Sequence, residues 1–429
     1  MKYVFVLLAV SCSLSAVHAQ WLETKIHLGS GSGPRALCYV PQENRIYCAN
    51  YLGGNVSVID GATNQVIATI PAGSRPTALC YDSADNKVFC ANRESDSVTV
   101  IDCATNQVIV TVAAGDGPRD LCYNYQNNRV YCSNYESGDV TVIDGATNQV
   151  IATVDAGYYP EVLCYNPNDN KVYCANGGDF GEDVTVIDGT SNQVIATVTA
   201  GRSPAGLCYN PHDNRVYCAN YWNADVTVID GTTDSVITTI IVGGMPHALC
   251  YNTRNNKVYC SSLDGVRVID GASNQVIATI GGLAPRAFCY DPRNNKVYCT
   301  NVSYDVSIID GAGDSLLLNI SDDEEPRGLC YNPVQNRVYV SNYRSSTILV
   351  LRDSSDSGIE ESSKPQAPSY KPKPTILSGA SGVGRLASSV VFDAMGRRVL
   401  NPRSGILFVR QASSVMRGAS SVTKVVIQR

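Results

Sequence analysis

Histidine, methionine, tryptophan and charged residues are all scarce in this sequence of 429 residues. It contains 4 His, 4 Met and 2 Trp, and only 17% of its residues are charged. So few histidines, with no Cys-x-x-Cys spacing, argue against a zinc or haem site, and we expect no metal and no cofactor. After the first dozen residues no apolar run approaches the roughly 18 residues that a membrane-spanning helix needs, so we expect no transmembrane span.

Basic residues are in deficit over most of the chain. Residues 20–353 carry 35 acidic and 21 basic side chains, a net charge of −14, whereas residues 354–429 carry 4 acidic and 11 basic side chains, a net charge of +7. A body this acidic lacks the cationic surface that binds nucleic acid, so no nucleic-acid partner is expected. With 44% hydrophobic residues the chain can still form a large core.

The N-terminus has the features of a secretory signal. Lys2 precedes an apolar segment, and small residues lead to Ala19. This pattern predicts a signal peptide over residues 1–19, cleaved before Gln20, and therefore an extracellular or cell-surface location. The alternative is a buried N-terminal strand.

A tandem repeat organises residues 20–353. The tripeptide Leu-Cys-Tyr, once Phe-Cys-Tyr, occurs eight times at spacings of 39–44 residues, with its cysteine at Cys38, Cys80, Cys122, Cys164, Cys208, Cys250, Cys289 and Cys330. A second block of the type Val-Thr-Val-Ile-Asp also occurs eight times, and its last copy has Arg352 in place of the aspartate. Each unit predicts four short strands separated by Asn, Asp, Gly and Pro turns.

Four strands per unit of about 40–45 residues are typical of a β-propeller blade. Residues 23–29 match a fourth strand with no preceding three, and the last unit lacks its own fourth strand. Pairing these two ends would close the ring and remove both free sheet edges. The sequence therefore predicts an all-β, eight-bladed β-propeller closed by N- and C-terminal strands, with seven blades as the alternative.

The repeat resembles the YVTN family of β-propellers. The matching segments of the first unit are Leu37-Cys38-Tyr39-Val40-Pro41, Ile46-Tyr47-Cys48-Ala49-Asn50, Val56-Ser57-Val58-Ile59-Asp60 and Val66-Ile67-Ala68-Thr69-Ile70-Pro71-Ala72-Gly73. The resemblance extends over residues 22–352 and implies the fold. It implies function only loosely, because propellers include both enzymes and binding proteins.

Seven units carry two cysteines ten residues apart on strands joined by a short turn. If the turn is centred on residue 43 in the first unit, the two cysteines face each other within bridging distance. We therefore expect seven disulfides within blades, and the alternative is free thiols packed between blades. The candidate pairs are Cys38/Cys48, Cys80/Cys90, Cys122/Cys132, Cys164/Cys174, Cys208/Cys218, Cys250/Cys260 and Cys289/Cys299.

One rim of the propeller varies among the units, and variable loops on a rigid scaffold are where specificity usually lies. The residue after each loop proline is expected at the mouth of the central channel, and several of these residues are arginines suited to a carboxylate or phosphate. Aromatic side chains on the same rim suit a glycan or a protein. The predicted ligand-binding residues are Arg35, Arg119, His247, Arg286, Arg327, Tyr51, Tyr135, Tyr221 and Trp222. Alternatively, the arginines pair with loop acids such as Glu324, Glu325 and Asp116.

The C-terminal region divides into a linker and a small domain. Residues 354–375 are rich in Ser and Pro and predict a disordered linker. Residues 376–429 predict a small β-sandwich-like domain that resembles the C-terminal sorting domain of the type IX secretion system, with strands around 389–399, 404–410 and 423–429. This resemblance implies the secretion machinery as a partner; the alternative is an autonomous β domain.

No catalytic motif stands out in the repeats. They contain no Ser-His-Asp set and no phosphate loop, and the repeated aspartates follow the structural period, so no catalytic residue is assigned. We therefore expect an exported, non-catalytic propeller that binds a protein, a glycan or a small anionic ligand on its variable rim. The alternative is a secreted or periplasmic enzyme, lactonase-like or quinoprotein-like, that uses the channel mouth.

Overall fold

The computed structural model describes residues 20–178, 181–321 and 324–353, and three strands nearer the C-terminus. Every regular element among these residues is a β-strand, and no described helix is long and apolar enough to cross a membrane. The chain divides into two units, residues 1–359 and 360–429. The predicted signal peptide (1–19) and linker (354–375) lie outside the described residues.

The first unit contains eight four-stranded antiparallel sheets, or blades. Blade 1 consists of β2 (Pro34–Val40), β3 (Arg45–Asn50), β4 (Asn55–Asp60) and β5 (Val66–Pro71), and blade 2 of β6 (Pro76–Asp82), β7 (Lys87–Asn92), β8 (Ser97–Asp102) and β9 (Gln107–Ala113). Blade 3 consists of β10 (Pro118–Asn124), β11 (Arg129–Asn134), β12 (Asp139–Asp144) and β13 (Val150–Asp155). Blade 4 consists of β14 (Pro160–Asn166), β15 (Lys171–Asn176), β16 (Asp183–Asp188) and β17 (Val194–Thr199). Blade 5 consists of β18 (Pro204–Asn210), β19 (Arg215–Asn220), β20 (Asp225–Asp230) and β21 (Val236–Ile241). Blade 6 consists of β22 (Leu249–Asn252), β23 (Lys257–Ser262), β24 (Gly265–Asp270) and β25 (Gln275–Gly281). Blade 7 consists of β26 (Pro285–Asp291), β27 (Lys296–Asn301), β28 (Asp305–Asp310) and β29 (Ser315–Ser321). Blade 8 combines β30 (Pro326–Asn332), β31 (Arg337–Asn342) and β32 (Thr347–Asp353) with β1 (Gln20–His27).

The two ends of the propeller sequence meet in blade 8. Strand β1 pairs antiparallel with β32, placing His27 opposite Thr347 and Trp21 opposite Arg352. The innermost strands contact one another in chain order, and β30 contacts β2, so the ring is closed. The prediction of an eight-bladed propeller closed by its termini is confirmed, and the alternative of seven blades is wrong.

Burial changes from the inside of a blade to its outer edge. The second and third strands lie between two neighbouring blades, which explains why Val56, Val58 and Ile59 are all fully buried. The outermost strand has no further strand on its outer side, and Val66 and Ile67 are exposed there. The core is therefore divided into clusters between adjacent blades, as a packing of sheet on sheet requires.

The rim formed by the hairpin turns, here the hairpin rim, links each blade to the next by a repeated contact. In blade 1, Arg45 donates to the carbonyl oxygen of Cys103 at 2.5 Å, and the buried Tyr47 hydroxyl donates to Oδ1 of Asn106 at 2.8 Å, both in the turn of blade 2. Lys87 repeats the contact to the carbonyl oxygen of Gly145 at 2.6 Å. A cation at the start of each second strand thus binds the following blade, at its outer turn in every case except Lys296, which pairs with Asp353 at the end of β32.

The predicted disulfides within blades are wrong. In the hairpin of blade 1, Cys38 lies opposite Tyr47 and Cys48 lies opposite Leu37, so the two cysteines point to opposite faces of the sheet. The true register is centred half a residue before residue 43. Relative to the predicted register, one strand is displaced by one residue along the other, and such a displacement turns the side chains of that strand to the opposite face. All described cysteines of the fourteen candidates are free thiols: Cys38, Cys48, Cys80, Cys90, Cys122, Cys132, Cys164, Cys174, Cys208, Cys218, Cys250, Cys260, Cys289 and Cys299.

The second unit contains one described antiparallel sheet of three strands. These are β33 (Ser389–Phe392), β34 (Gly405–Ala412) and β35 (Ser420–Ile427), in that spatial order. Strand β34 pairs with β33 on one side and with β35 on the other.

Candidate functional site

The rim opposite the hairpin turns, here the variable rim, carries the mouth of the central channel. Each innermost strand is entered through a loop that ends in proline, and the residue before that proline has positive φ in most blades, for example 59° at Glu325 and 58° at Gly33. This turn fixes the direction of the chain as it enters the strand. The next side chain, such as Arg35 after Pro34, therefore occupies an equivalent position in each blade.

Three blades place an arginine and a tyrosine together at this position. The Cζ atoms of Arg35, Arg119 and Arg327 lie 5.1, 5.3 and 4.7 Å from ring centroids in the same blade. Such contacts between guanidinium and aromatic groups hold the arginine side chain without neutralising its charge. The rings are those of Tyr51, Tyr135 and Tyr343.

Arg35 is the least neutralised of these arginines. It makes no ion pair with any described carboxylate, and burial together with the nearby charges of Arg119 and Arg327 lowers the pKa of Arg35 to about 10. The group stays protonated at neutral pH. A half-buried cation among like charges is a position that an incoming anion would stabilise.

The neighbouring arginines are partly neutralised by two glutamates. Arg119 donates to Glu161 at 2.5 Å, and Glu325 pairs with Arg327 and, at 3.4 Å, with Arg286. We call these four guanidinium groups (Arg35, Arg119, Arg286 and Arg327) the arginine arc, which occupies blades 7, 8, 1 and 3. The expected pairing with a loop acid therefore holds for Arg286 and Arg327, through Glu325. Arg119 pairs instead with Glu161 in strand β14, and Arg35 has no described carboxylate partner.

The opposite side of the mouth has different chemistry. Tyr221 and Trp222 make an edge contact with ring centroids 4.8 Å apart, and the Tyr221 hydroxyl donates to Sδ of Met245 at 3.3 Å. Nδ1 of His247 lies 3.0 Å from the carbonyl oxygen of Met245. These residues form an aromatic cluster, separate from the arginine arc, in blades 5 and 6.

One carboxyl group inside the channel was missed by the sequence analysis. Asp120 follows Arg119 on β10, and its Oδ2 accepts a hydrogen bond from the backbone N–H of Leu163 at 2.9 Å. Burial raises the pKa of Asp120 to about 6. The signal was present in the repeat, because the other seven units have Ala, Val or Gly at this position.

The aspartates at the entry of the third strands act as caps. Asn134 donates to Asp139 at 2.6 Å, and Asn220 donates to Asp225 at 2.7 Å. Over the described part of the chain, no group of three or more His, Cys, Asp or Glu residues is arranged to hold a metal ion.

Of the nine predicted ligand-binding residues, the structure brings six to one side of the mouth: Arg35, Tyr51, Arg119, Tyr135, Arg286 and Arg327. The remaining three, Tyr221, Trp222 and His247, lie in the aromatic cluster. Three of the four arginines have a tyrosine sixteen residues later, as Arg35 has Tyr51. This regular spacing would have identified the pairs from sequence.

The comparison with family models indicates a β-propeller. Residues 9–150, about one third of the chain, match a family model described as lactonase, 7-bladed beta-propeller. None of the curated proteins compared with the chain matches it.

Two solved structures resemble the chain in fold. The computationally designed Ika8 protein has a TM-score of 0.63 at 20% identity, covering 76% of this chain and 98% of its own. A chain of Kuenenia stuttgartiensis hydrazine synthase has a TM-score of 0.55 at 17% identity, covering 76% and 96%. At such identities the likeness concerns the fold alone, and the chain is an all-β, eight-bladed β-propeller.

Proposed function

We propose that this protein is an exported, non-catalytic propeller that binds a small anionic ligand at the arginine arc. The observation that carries the proposal is Arg35, a half-buried guanidinium with no described carboxylate partner and with three further arginines, Arg119, Arg327 and Arg93, close enough to lower its pKa. An anion bound there would relieve the repulsion among these groups.

The chemistry of the arc favours oxyanions. Guanidinium groups donate paired hydrogen bonds that match the oxygens of a carboxylate or a phosphate. The stacking of Arg35 on Tyr51 and of Arg327 on Tyr343 fixes these donors before a ligand arrives. Less conformational entropy is then lost on binding.

The test is binding of inorganic phosphate to the full-length chain by calorimetry at low ionic strength. We expect Arg35→Gln to weaken binding at least tenfold. The matched control is Arg202→Gln, on the same rim but outside the arc, where Arg202 lies 3.9 Å from Glu182. Equal phosphate affinity in the wild type and the Arg35→Gln variant would refute the proposal.

A second candidate function is hydrolysis of a lactone. The partial match to a lactonase family model and the buried Asp120, with its pKa raised to about 6, favour it. In this mechanism the Asp120 carboxylate accepts a proton from water as that water attacks the lactone carbonyl, and Arg119 stabilises the developing oxyanion.

This alternative is tested with a panel of lactones and the Asp120→Asn variant. Ring opening that is lost in the variant, with phosphate binding retained, would support the enzyme and contradict a purely binding role. No turnover by the wild type with any lactone would leave the binding role as the supported function.

Export and the function of the C-terminal unit are parts of the same proposal. We expect the mature chain to begin at Gln20, and the three described C-terminal strands to belong to a domain that engages the secretion machinery. Mass spectrometry of the secreted protein tests the first expectation. Deletion of residues 376–429, with export measured in a type IX-competent host, tests the second.

A further inference from the structure

An exposed pair of tyrosines lies beside the arginine arc. Tyr158 and Tyr159 form the loop before Pro160 in blade 4, and the two residues are 74% and 36% exposed. The loop is held in place, because Tyr159 has a φ of 56° and its carbonyl oxygen accepts a hydrogen bond from the backbone N–H of Gly177 at 2.9 Å. The other seven units have no aromatic residue at the two corresponding positions. The repeat therefore does not require these exposed rings.

The two tyrosines are connected to the arc through Tyr135 in blade 3. The ring centroids of Tyr135 and Tyr159 are 4.8 Å apart, and Cζ of Arg119 lies 5.3 Å from the Tyr135 centroid. Arg119 is in turn close enough to Arg35 to lower the pKa of Arg35. We call Tyr135, Tyr158 and Tyr159 the tyrosine platform. A ligand whose anionic group is bound by Arg35 can therefore extend past Arg119 onto this platform.

Most of the charges around the platform are already paired. The ion pairs on this side of the mouth are Arg75 with Glu94, Arg93 with Glu136, Arg119 with Glu161, and Glu325 with Arg286, Arg327 and Arg344. Arg35 is the arginine here that has no described carboxylate partner. Because cations and carboxylates alternate, the rim does not favour a ligand of high charge density. It matches a ligand that carries one anionic group on a larger uncharged body.

We infer that the ligand of the arginine arc is an acidic saccharide, with its carboxylate on Arg35 and a neighbouring sugar ring on the tyrosine platform. One face of a sugar ring presents C–H groups that pack against aromatic rings. Its hydroxyl groups both donate and accept hydrogen bonds, so they suit a rim on which guanidinium and carboxylate groups alternate. The inference rests on the proposed anion site and names the chemical class of its ligand.

The test is calorimetry on the full-length chain at low ionic strength. The probes are a panel of disaccharides that carry one uronic acid, their neutral parent disaccharides, and the monosaccharide uronic acids. We expect an acidic disaccharide to bind at least tenfold more tightly than its neutral parent and its monosaccharide acid, because each of these lacks one of the two contacts. In the double variant Tyr158→Ala/Tyr159→Ala this affinity should fall at least tenfold, whereas the affinity for inorganic phosphate should be unchanged.

The matched control is Tyr125→Ala, which removes a tyrosine that is 57% exposed on the hairpin rim and should behave as the wild type. The double variant Tyr158→Phe/Tyr159→Phe keeps both rings and should retain the affinity, and melting temperatures verify that each variant is folded. If phosphate binds but no acidic disaccharide binds more tightly than its monosaccharide acid and its neutral parent, the saccharide inference is wrong and the anion site stands. If neither phosphate nor any acidic disaccharide binds, both are wrong.

Discussion

The two rims of the propeller use polar side chains in opposite ways. On the hairpin rim, a cation of each blade, with a tyrosine in every blade except blade 2, binds the next blade, as Arg45 and Tyr47 do with Cys103 and Asn106. On the variable rim, Arg35 faces like charges without a described carboxylate. The repeated polar groups of the hairpin rim are satisfied by the neighbouring blade, whereas Arg35 on the variable rim is left available to a ligand.

The largest effect is expected where the hairpin rim closes the ring. Nζ of Lys296 lies 2.7 Å from the carboxylate of Asp353, and both side chains are almost fully buried. Asp353→Ala would leave a buried ammonium group without its carboxylate, which costs about 3–5 kcal/mol of unfolding free energy. Urea unfolding measures the loss. In the double variant Lys296→Met/Asp353→Leu much of the unfolding free energy should be recovered. If Asp353→Ala is as stable as the wild type, the claim that contacts of the hairpin rim stabilise the fold is wrong.

A smaller effect is expected at Asp120, inside the channel. Its pKa is raised from 3.8 to about 6 in the folded protein, so between about pH 4 and pH 6 the native state holds a proton that the unfolded chain has released. Stability therefore falls as pH rises through this window, and the penalty is complete above pH 6. Asp120→Asn removes the penalty.

We expect Asp120→Asn to gain about 1–2 kcal/mol in unfolding free energy at pH 7 and little at pH 4. Urea unfolding of both proteins at the two pH values is the measurement. A gain that is the same at both values would show that the ionisation of Asp120 is not its cause.

At the mouth, removal of a charge should stabilise the fold slightly. Arg35→Gln relieves repulsion from Arg119 and Arg327, so in the absence of anions its unfolding free energy should equal or exceed that of the wild type by up to about 1 kcal/mol. Denaturant titration in a low-salt buffer free of oxyanions measures this. A clear loss of stability would mean that Arg35 is structural, like the cations of the hairpin rim.

The smallest effect concerns the rate of thiol alkylation on the two faces of the inner hairpin. Cys48 and its equivalents are fully buried, whereas Cys38 and most of its equivalents on the innermost strands are partly exposed. Burial raises the pKa of Cys38 to about 12, so its alkylation should be slow. In the native protein near pH 7.5 we expect Cys38 and the equivalent cysteines of the innermost strands to be alkylated first. Peptide mass spectrometry measures the order of labelling. Under non-reducing denaturing conditions all sixteen described cysteines should react. Pairs of cysteines that resist alkylation would contradict the register that places Cys38 and Cys48 on opposite faces of the hairpin.

Much of the fold was predictable because it is repeated. Eight copies of the Leu-Cys-Tyr or Phe-Cys-Tyr tripeptide and of the Val-Thr-Val-Ile type of block predicted the blades, and the unmatched strand near Ile26 predicted the closure that β1 and β32 form. The disulfides were not predictable in the same way. A shift of half a residue in the centre of the turn decides whether Cys38 and Cys48 share a face, and cysteine spacing does not encode that shift.

The sequence by itself determined the strands of each blade and the two ends that close the ring, because alternating apolar residues and turn signals are local properties repeated along the chain. The residues of the mouth were also visible as departures from the repeat. Only the tertiary structure decided which of them meet, since Arg35, Arg119 and Arg327 come from distant positions and their charges interact only after the ring has closed. The same closure determines that Glu325 neutralises its neighbours and leaves Arg35 without a carboxylate.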